Sequence, residues 1–318
     1  MTAVSLPYLL RRLGFAVAVL WAAFTVSFVV LYLLPGDPVA TMAGGSSDGQ
    51  PVTAAQLDEL RHRYGLDQPL VVQYGHKLLA ALHGDLGTSF ATGETVRGAI
   101  GDALPPTLQV ALCGLGFAVA FGAVVALLAT YTRVRWLSQV LLALPSLAVS
   151  LPVFWVGLML VQLFSFRLGM FPSVGARGPA SLVLPAITLG LPPGALIAQV
   201  LAKSMSQALE EPYVTTARAK GVGPGAVHLR HALGNAVIPA LTVLGYVTGL
   251  LLAGSVVVET VFTRPGLGRL TVSSVGVQDI PVVQGVVVFG ALVFVLVNLA
   301  VDLVYPLLDP RIATAVPA

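Results

Sequence analysis

Residues 282–301 read VVQGVVVFGALVFVLVNLAV, twenty residues without one Asp, Glu, Lys or Arg. At about 1.5 Å of rise per residue, such a stretch wound as a helix covers roughly 30 Å, the hydrocarbon thickness of a bilayer. It has no polar face returning every third or fourth residue, as a helix lying on a soluble core would have. A charge near mid-membrane costs on the order of 2.5–3.5 kcal/mol, which accounts for the emptiness. The stretch lies in a charge-free window, 280–301, and five more windows share its character: 13–36, 103–132, 136–166, 178–202 and 231–258. Together they take up about half of the chain. Only 10% of the 318 residues are charged, where a soluble domain carries about 25%. Each window holds one tilted helix and none holds two, so the expected fold class is all-α, a polytopic membrane protein with six transmembrane helices. A disordered chain, a nucleic-acid binder and a disulfide scaffold are excluded, and the single cysteine, Cys113, lies inside the second window.

An even number of spans places both termini on one side. If that side is cytoplasmic, Arg11, Arg12, Arg133, Arg135, Lys203, Arg218, Lys220, Arg230 and Arg311 lie inside. The segment 37–102 exceeds the roughly 60 residues over which the positive-inside rule counts, so its Arg61, Arg63, Lys77 and Arg97 drop out and the inner side holds the excess. The expected location is therefore the cell membrane, with N- and C-termini cytoplasmic. Tyr131 and Trp136 beside Arg133 and Arg135 suit an interfacial aromatic belt. The first window exceeds the 7–15 residues of a signal peptide's apolar region, has no small-residue cleavage site, and reads as an anchor. The organisation that follows is 1–36 for the N-terminus and first helix, 37–102 for an extracytoplasmic loop domain, 103–306 for a core of five helices, and 307–318 for a cytoplasmic tail. Within the core, 203–235 is an inner loop and 259–280 an outer loop.

The spans are rich in helix breakers: Pro145 and Pro152 in the third, Pro185, Pro192 and Pro193 in the fourth, Pro239 opening the fifth. GLPPG at Gly190–Gly194 reads as the most interrupted site, either a bend lining a pathway or a packing kink. Ser150, Pro192, Pro193 and Gln199 are the residues assigned to such a pathway. Gly245, Gly249 and Ala253 form a small-residue stripe of the kind that packs a neighbouring helix of the same chain.

No titratable group sits in the middle of a span; Glu259 and Asp302 are at window edges. An ion-coupled carrier keeps a buried acid or histidine there. An intramembrane protease is excluded because Ser89, in the loop run Gly87-Thr88-Ser89-Phe90, and His62, His76, His83, His228 and His231 all lie outside the spans. There is no GxxxxGK[ST] run and no metal-ligand spacing of His and Cys, so no catalytic residue, metal or cofactor is expected on this chain.

The driving force then enters through a docking surface, and the loop 203–235 is the longest inner one. Glu210 and Glu211 suit the positive end of a helix, Pro212 its first position, and Gly221 its end. Pro212 to Lys220 thus forms a rod of roughly 13 Å. Gly223-Pro224 starts a second helix through His228, Arg230 and His231 toward the membrane. Tyr213 with Ala217, and Thr216 with Lys220, pair at helical spacing, which offers a partner an aromatic knob among small residues. A basic, solvated loop would read the same way.

The wording of this loop, YVTTARAKG at Tyr213–Gly221 followed by LRHALGNAVIP at Leu229–Pro239, closely resembles the cytoplasmic coupling loop of binding-protein-dependent ABC importer permeases of the dipeptide/oligopeptide/nickel subfamily. YLLRRL near the start, LPGDP at Leu34–Pro38, YGLDQPL at Tyr64–Leu70, GDLGTSF at Gly84–Phe90, SLPVFWVGL at Ser150–Leu158, VVVETVFTRPGLGRL at Val256–Leu270, PVVQGVV at Pro281–Val287 and LLDPRI at Leu307–Ile312 are similar to its first-subunit, B-type permease. The resemblance implies a type I importer permease fold. It further implies a heterodimer with a second permease subunit, two ATPase subunits that bind ATP and Mg, and an extracytoplasmic substrate-binding protein, all in membrane lipid and without nucleic acid. Tyr213, Thr215, Thr216, Ala217, Arg218, Ala219, Lys220 and Gly221 would then engage an ATPase, with Thr215, Thr216 and Ala217 standing where many importer permeases read Glu-Ala-Ala. Phe262, Pro265, Gly266, Leu267 and Gly268 would face the binding protein or the substrate, the other reading of that segment being a tight turn packed on the membrane surface. Di- or oligopeptides are the expected cargo, since the spans offer no metal ligands. Nickel or another small solute, or a secondary carrier, are the alternatives.

Overall fold

The computed structural model describes residues 6–33, 54–63 and 65–308. LPGDP at 34–38, Tyr64, Arg311 and the expected tail beyond 308 lie outside the described residues. Nearly everything described is helical; the extended pairing found among these residues is one isolated bridge between Thr88 and Thr95. In chain order the helices are α1 (Leu6–Leu33), α2 (Ala54–Arg63), α3 (Leu70–Leu82), α4 (Val96–Tyr131), α5 (Arg135–Ser150), α6 (Val153–Leu160, continued by a π-helical turn Val161–Arg167), α7 (Ala180–Glu210), α8 (Pro212–Ala219), α9 (Leu233–Val261), α10 (Leu267–Gly276) and α11 (Ile280–Leu308).

Four of these are long and apolar enough to cross a membrane alone: Arg11–Tyr32 within α1, all of α4, all of α7, and Ile280–Leu299 within α11. The other two windows are bent pairs, and counting each pair as one span gives the six expected. The third window departs most from a single tilted helix. There α5 and α6 meet at 104° across Leu151 and Pro152. Pro152 is the cause: the residue before a proline is driven out of the α region, and Leu151 sits at φ −84°, ψ 132°. The fifth bends by 59° between Pro224–Leu241 and Tyr246–Val261.

GLPPG, read as the most interrupted site, lies inside an unbroken α7. Its glycines pack it against α4. A Cβ on Gly194 would stand 3.0 Å from the Cα and carbonyl oxygen of Ala118, and a Cβ on Gly190 would overlap the Gly114 carbonyl. Across the contact, a Cβ on Gly122 would stand 2.9 Å from the Gly194 carbonyl oxygen. The two helices therefore press backbone to backbone, and Pro193 is buried against protein rather than lipid. The stripe on α9 behaves differently from expectation. Ala253 is exposed and Gly249 half-buried, while the neighbouring Gly254 is the one held close to Leu189.

The chain separates into two compact units. One contains Pro106–Pro265, with a core of Val110, Leu184, Leu189, Val247, Val258 and Phe262. The other contains the described residues up to Pro105 together with Gly266–Leu296, so the described part of 37–102 shares a unit with α1 and with the chain after Pro265. In that second unit Val96, Ile100 and Val282 form a small core. There α3 braces α1: Thr25 and Tyr74 share a hydrogen bond of 2.8 Å, and Phe24 and Phe28 both meet the edge of Tyr74.

Candidate coupling site

The loop 203–235 folds as its punctuation dictates. Glu211 leaves α7 with extended angles, φ −67° and ψ 145°, and Pro212 opens α8 at the first helical position, where its missing N–H costs nothing. The eight residues end one short of the expected rod, with Lys220 as cap. Gly221 turns left-handed at φ 81°, and the Val222 N–H donates to the Ala217 carbonyl at 3.1 Å, closing a Schellman end. Nothing stands within 4 Å of a Cβ built on Gly221, so backbone conformation alone demands the glycine.

The rod is seated on its own chain. Val214 is fully buried and Ala217 nearly so, facing the turn Val227–Ala232. Tyr213, the expected aromatic knob, is exposed, and its hydroxyl is anchored to the chain behind it. Its hydroxyl donates to the His231 carbonyl at 3.2 Å and accepts from the Asn235 side-chain amide at 2.9 Å. Ala217 is buried on the same face as Val214, three positions before it. The surface left exposed is Pro212, Tyr213, Thr215, Thr216, Arg218, Ala219, Lys220 and Gly221.

The second helix starts at Gly223-Pro224 as expected and runs through a π-helical stretch, Val227–Ala232, directly into α9. A wider turn of this kind marks a register change within a helix. It carries His228, whose Nδ1 meets the Pro224 carbonyl at 3.0 Å and whose Nε2 meets the Thr130 carbonyl near the end of α4 at 3.1 Å. A neutral ring donates to one of these carbonyls and an imidazolium to both. The ring also stands edge-on to Tyr131. His228 thus joins the rod's support to a membrane span, a role that spacing along the chain does not signal.

The segment 259–280 is built on buried charge. Phe262 is a core residue, Gly266 and Gly268 are buried, Leu267 is half-buried against the second unit's core, and Pro265 is exposed. Glu259 and Arg264 are both 0% exposed. Glu259 accepts from the Thr107 hydroxyl at 2.6 Å, and Arg264 Nη1 donates to the carbonyls of Gly175 at 3.1 Å and Ser181 at 3.2 Å. In the second unit, the buried Asp279 carboxylate accepts from the Ser89 hydroxyl and from the backbone N–H of Phe90 at 3.0 Å and Ala91 at 3.3 Å. Ser89 of GDLGTSF therefore binds a carboxylate. In the sequence Glu259 stood out only as a window edge, and Arg264 and Asp279 not at all, because turn formers and apolar knobs dominate the segment.

Of the residues assigned to a pathway, Ser150 and Gln199 come near one another around Ser146. The Ser150 hydroxyl donates to the Ser146 carbonyl at 2.8 Å and the Gln199 amide to the Ser146 hydroxyl at 3.4 Å, both exposed on apolar helices. Pro192 and Pro193 lie two turns earlier on α7 and are not part of this group.

Residues 101–314 match the family described as binding-protein-dependent transport system inner membrane component, and residues 5–111 match its N-terminal family. Over 307 residues the chain is 40% identical to the glutathione transport system permease protein GsiC of Salmonella choleraesuis, covering 96% of this chain and 99% of that one. It is 38% identical over the same span to GsiC of Escherichia coli K12. The fold is similar to that of the inward-facing MetNI methionine ABC transporter, with a TM-score of 0.56 over 66% of this chain and 96% of the other, at 18% identity. Spans, loop and similarity along almost the whole chain agree: the chain belongs to the binding-protein-dependent transport system inner membrane components and is a permease subunit of an ABC importer.

Proposed function

We propose that this permease is the first of two membrane subunits of an ATP-driven importer of peptides, with α8 as the element that couples it to ATP hydrolysis. The observation that carries the reading is the seating of α8. A rod whose buried face and Tyr213 are fixed to the chain behind it, and whose other face is free, transmits displacement as a rigid body. A solvated loop would absorb it. ATP and Mg belong to two ATPase subunits on the inner side, where both termini also lie, and a binding protein delivers cargo from outside. Closure of the ATPase pair moves α8, the π-helical turn carries the motion into α9, and His228 carries it to α4. Reversing a two-state equilibrium from 1:99 to 99:1 takes about 5.5 kcal/mol, which nucleotide and loaded binding protein supply together. Peptide cargo is supported by the glutathione permeases above, since glutathione is itself a small peptide. Ser150 and Gln199, polar and exposed around Ser146, are the pathway residues best placed to meet an amide-rich solute.

Gly221→Thr tests the coupling in the assembled complex. A β-branched residue at this φ distorts the end of α8, so substrate-stimulated ATP hydrolysis is expected to be lost while the complex still assembles. Unchanged stimulation would refute the role of α8.

A further inference from the structure

A groove of about 970 Å³ opens where α4 ends and α5 begins, bordered by the loop that carries α8. Its volume is that of a small-molecule site, roughly 300–1,000 Å³. Leu128, Leu137 and Leu141 give it an apolar wall on the two spans, and Arg133 and Arg218 give it positive charge. No carboxylate lines it. Neither guanidinium forms an ion pair among the described residues.

Its place in the fold is equally specific. The turn between α4 and α5 joins two membrane-crossing elements, so the groove sits where hydrocarbon gives way to the polar interface. Tyr131 and Trp136 at the same turn are 54% and 67% exposed, as aromatic residues at a headgroup level are. A free inorganic anion would neutralise the arginines and leave the leucine wall in water. An apolar solute would cover the leucines and leave two cations uncompensated. An amphiphile with an anionic head satisfies both.

We propose that this groove binds an anionic phospholipid of the leaflet nearest α8, its phosphate on Arg133 and Arg218 and an acyl chain along Leu128, Leu137 and Leu141. The lipid would bridge the α8 loop to the end of α4 beside His228, whatever solute the importer carries.

The test uses the complex as purified, reconstituted in phosphatidylcholine bilayers with a minority of spin-labelled phosphatidylglycerol, reading the motionally restricted lipid fraction by electron spin resonance. Wild type is expected to restrict phosphatidylglycerol well above labelled phosphatidylcholine. Each of Arg133→Gln and Arg218→Gln is expected to cut that preference roughly fivefold, the effect of about one basic residue near an anionic surface. Because Arg218 lies on the proposed coupling rod, Arg133→Gln is the decisive single variant. Leu141→Asp provides a second, lowering retention through the apolar wall with both arginines intact. Equal restriction of the two lipids by wild type would overturn the proposal. So would displacement of the labelled lipid by millimolar inorganic phosphate, which would mark a bare anion site. Restriction seen only after ATPase subunits are stripped away would assign the groove to a protein contact and overturn it as well.

Discussion

After α8 the chain turns through Gly221 at φ 81°, and Val222 donates back to Ala217 at 3.1 Å. After α9 it turns through Thr263 at φ 52°, and Arg264 donates back to Glu259 at 2.8 Å; after α10 it turns through Gln278 at φ 55°, and Asp279 donates back to Ser274 at 2.8 Å. The three ends share one backbone form, in which the residue past the left-handed position folds over the helix and is usually apolar. In the 203–235 loop that residue is Val222, and a glycine takes the turn without strain. In the 259–280 loop the folded-over residues are Arg264 and Asp279, both buried, and a threonine and a glutamine occupy a conformation that L-residues disfavour by about 1–2 kcal/mol. Such geometry persists only where tertiary bonds over-determine it. Gly175 and Ser181 hold Arg264, and Ser89 with the two residues after it holds Asp279. One loop caps itself locally, and the other is clamped from far along the chain.

If that contrast is right, breaking a clamp costs more than spoiling a local cap. Arg264→Met is expected to have the largest effect. It leaves the carbonyls of Gly175 and Ser181 without the charged donor they share, and losing two charge-assisted bonds around a fully buried side chain costs about 3 kcal/mol or more, read as a large fall in the thermal unfolding midpoint of the purified protein. An unchanged midpoint would show that the bonds of Arg264 to Gly175 and Ser181 do not hold the turn. Asp279→Ala comes next, at about 2–3 kcal/mol, since it strands the Ser89 hydroxyl and the N–H groups of Phe90 and Ala91. Limited proteolysis should then open the 84–95 segment first; cleavage elsewhere would argue against a clamp. Gly221→Thr should cost only about 1–2 kcal/mol in stability, so its effect on ATP coupling should outrun its effect on the midpoint. Equal losses would make α8 a structural element and no more. Thr263→Gly is expected to be smallest, within about 1 kcal/mol, because relief of the left-handed strain is offset by the greater freedom glycine gives the unfolded chain. A loss of several kcal/mol there would mean that the threonine side chain itself holds the loop.

The six spans were legible because the cost of a charge in hydrocarbon acts on every residue separately, and a one-dimensional count records it. The bounds of α8 were legible to within one residue for a related reason: Pro212 and Gly221 act on their own backbone angles. Which proline breaks a span was not. Pro152 bends its window by 104° while Pro192 and Pro193 lie inside an unbroken α7, where Gly190 and Gly194 meet α4, a neighbour that no local pattern names.

What the residues determined by themselves is the solvent each segment accepts and the places where the backbone must turn, because both are properties of single side chains and their immediate neighbours. What only the tertiary structure decided is where the few buried charges go. Arg264 finds its carbonyls at Gly175 and Ser181, and Asp279 finds its donors at Ser89 to Ala91, 188 to 190 positions away. A buried charge is tolerated only when its partners are brought to it, and those partners are supplied by folding rather than by adjacency in the chain.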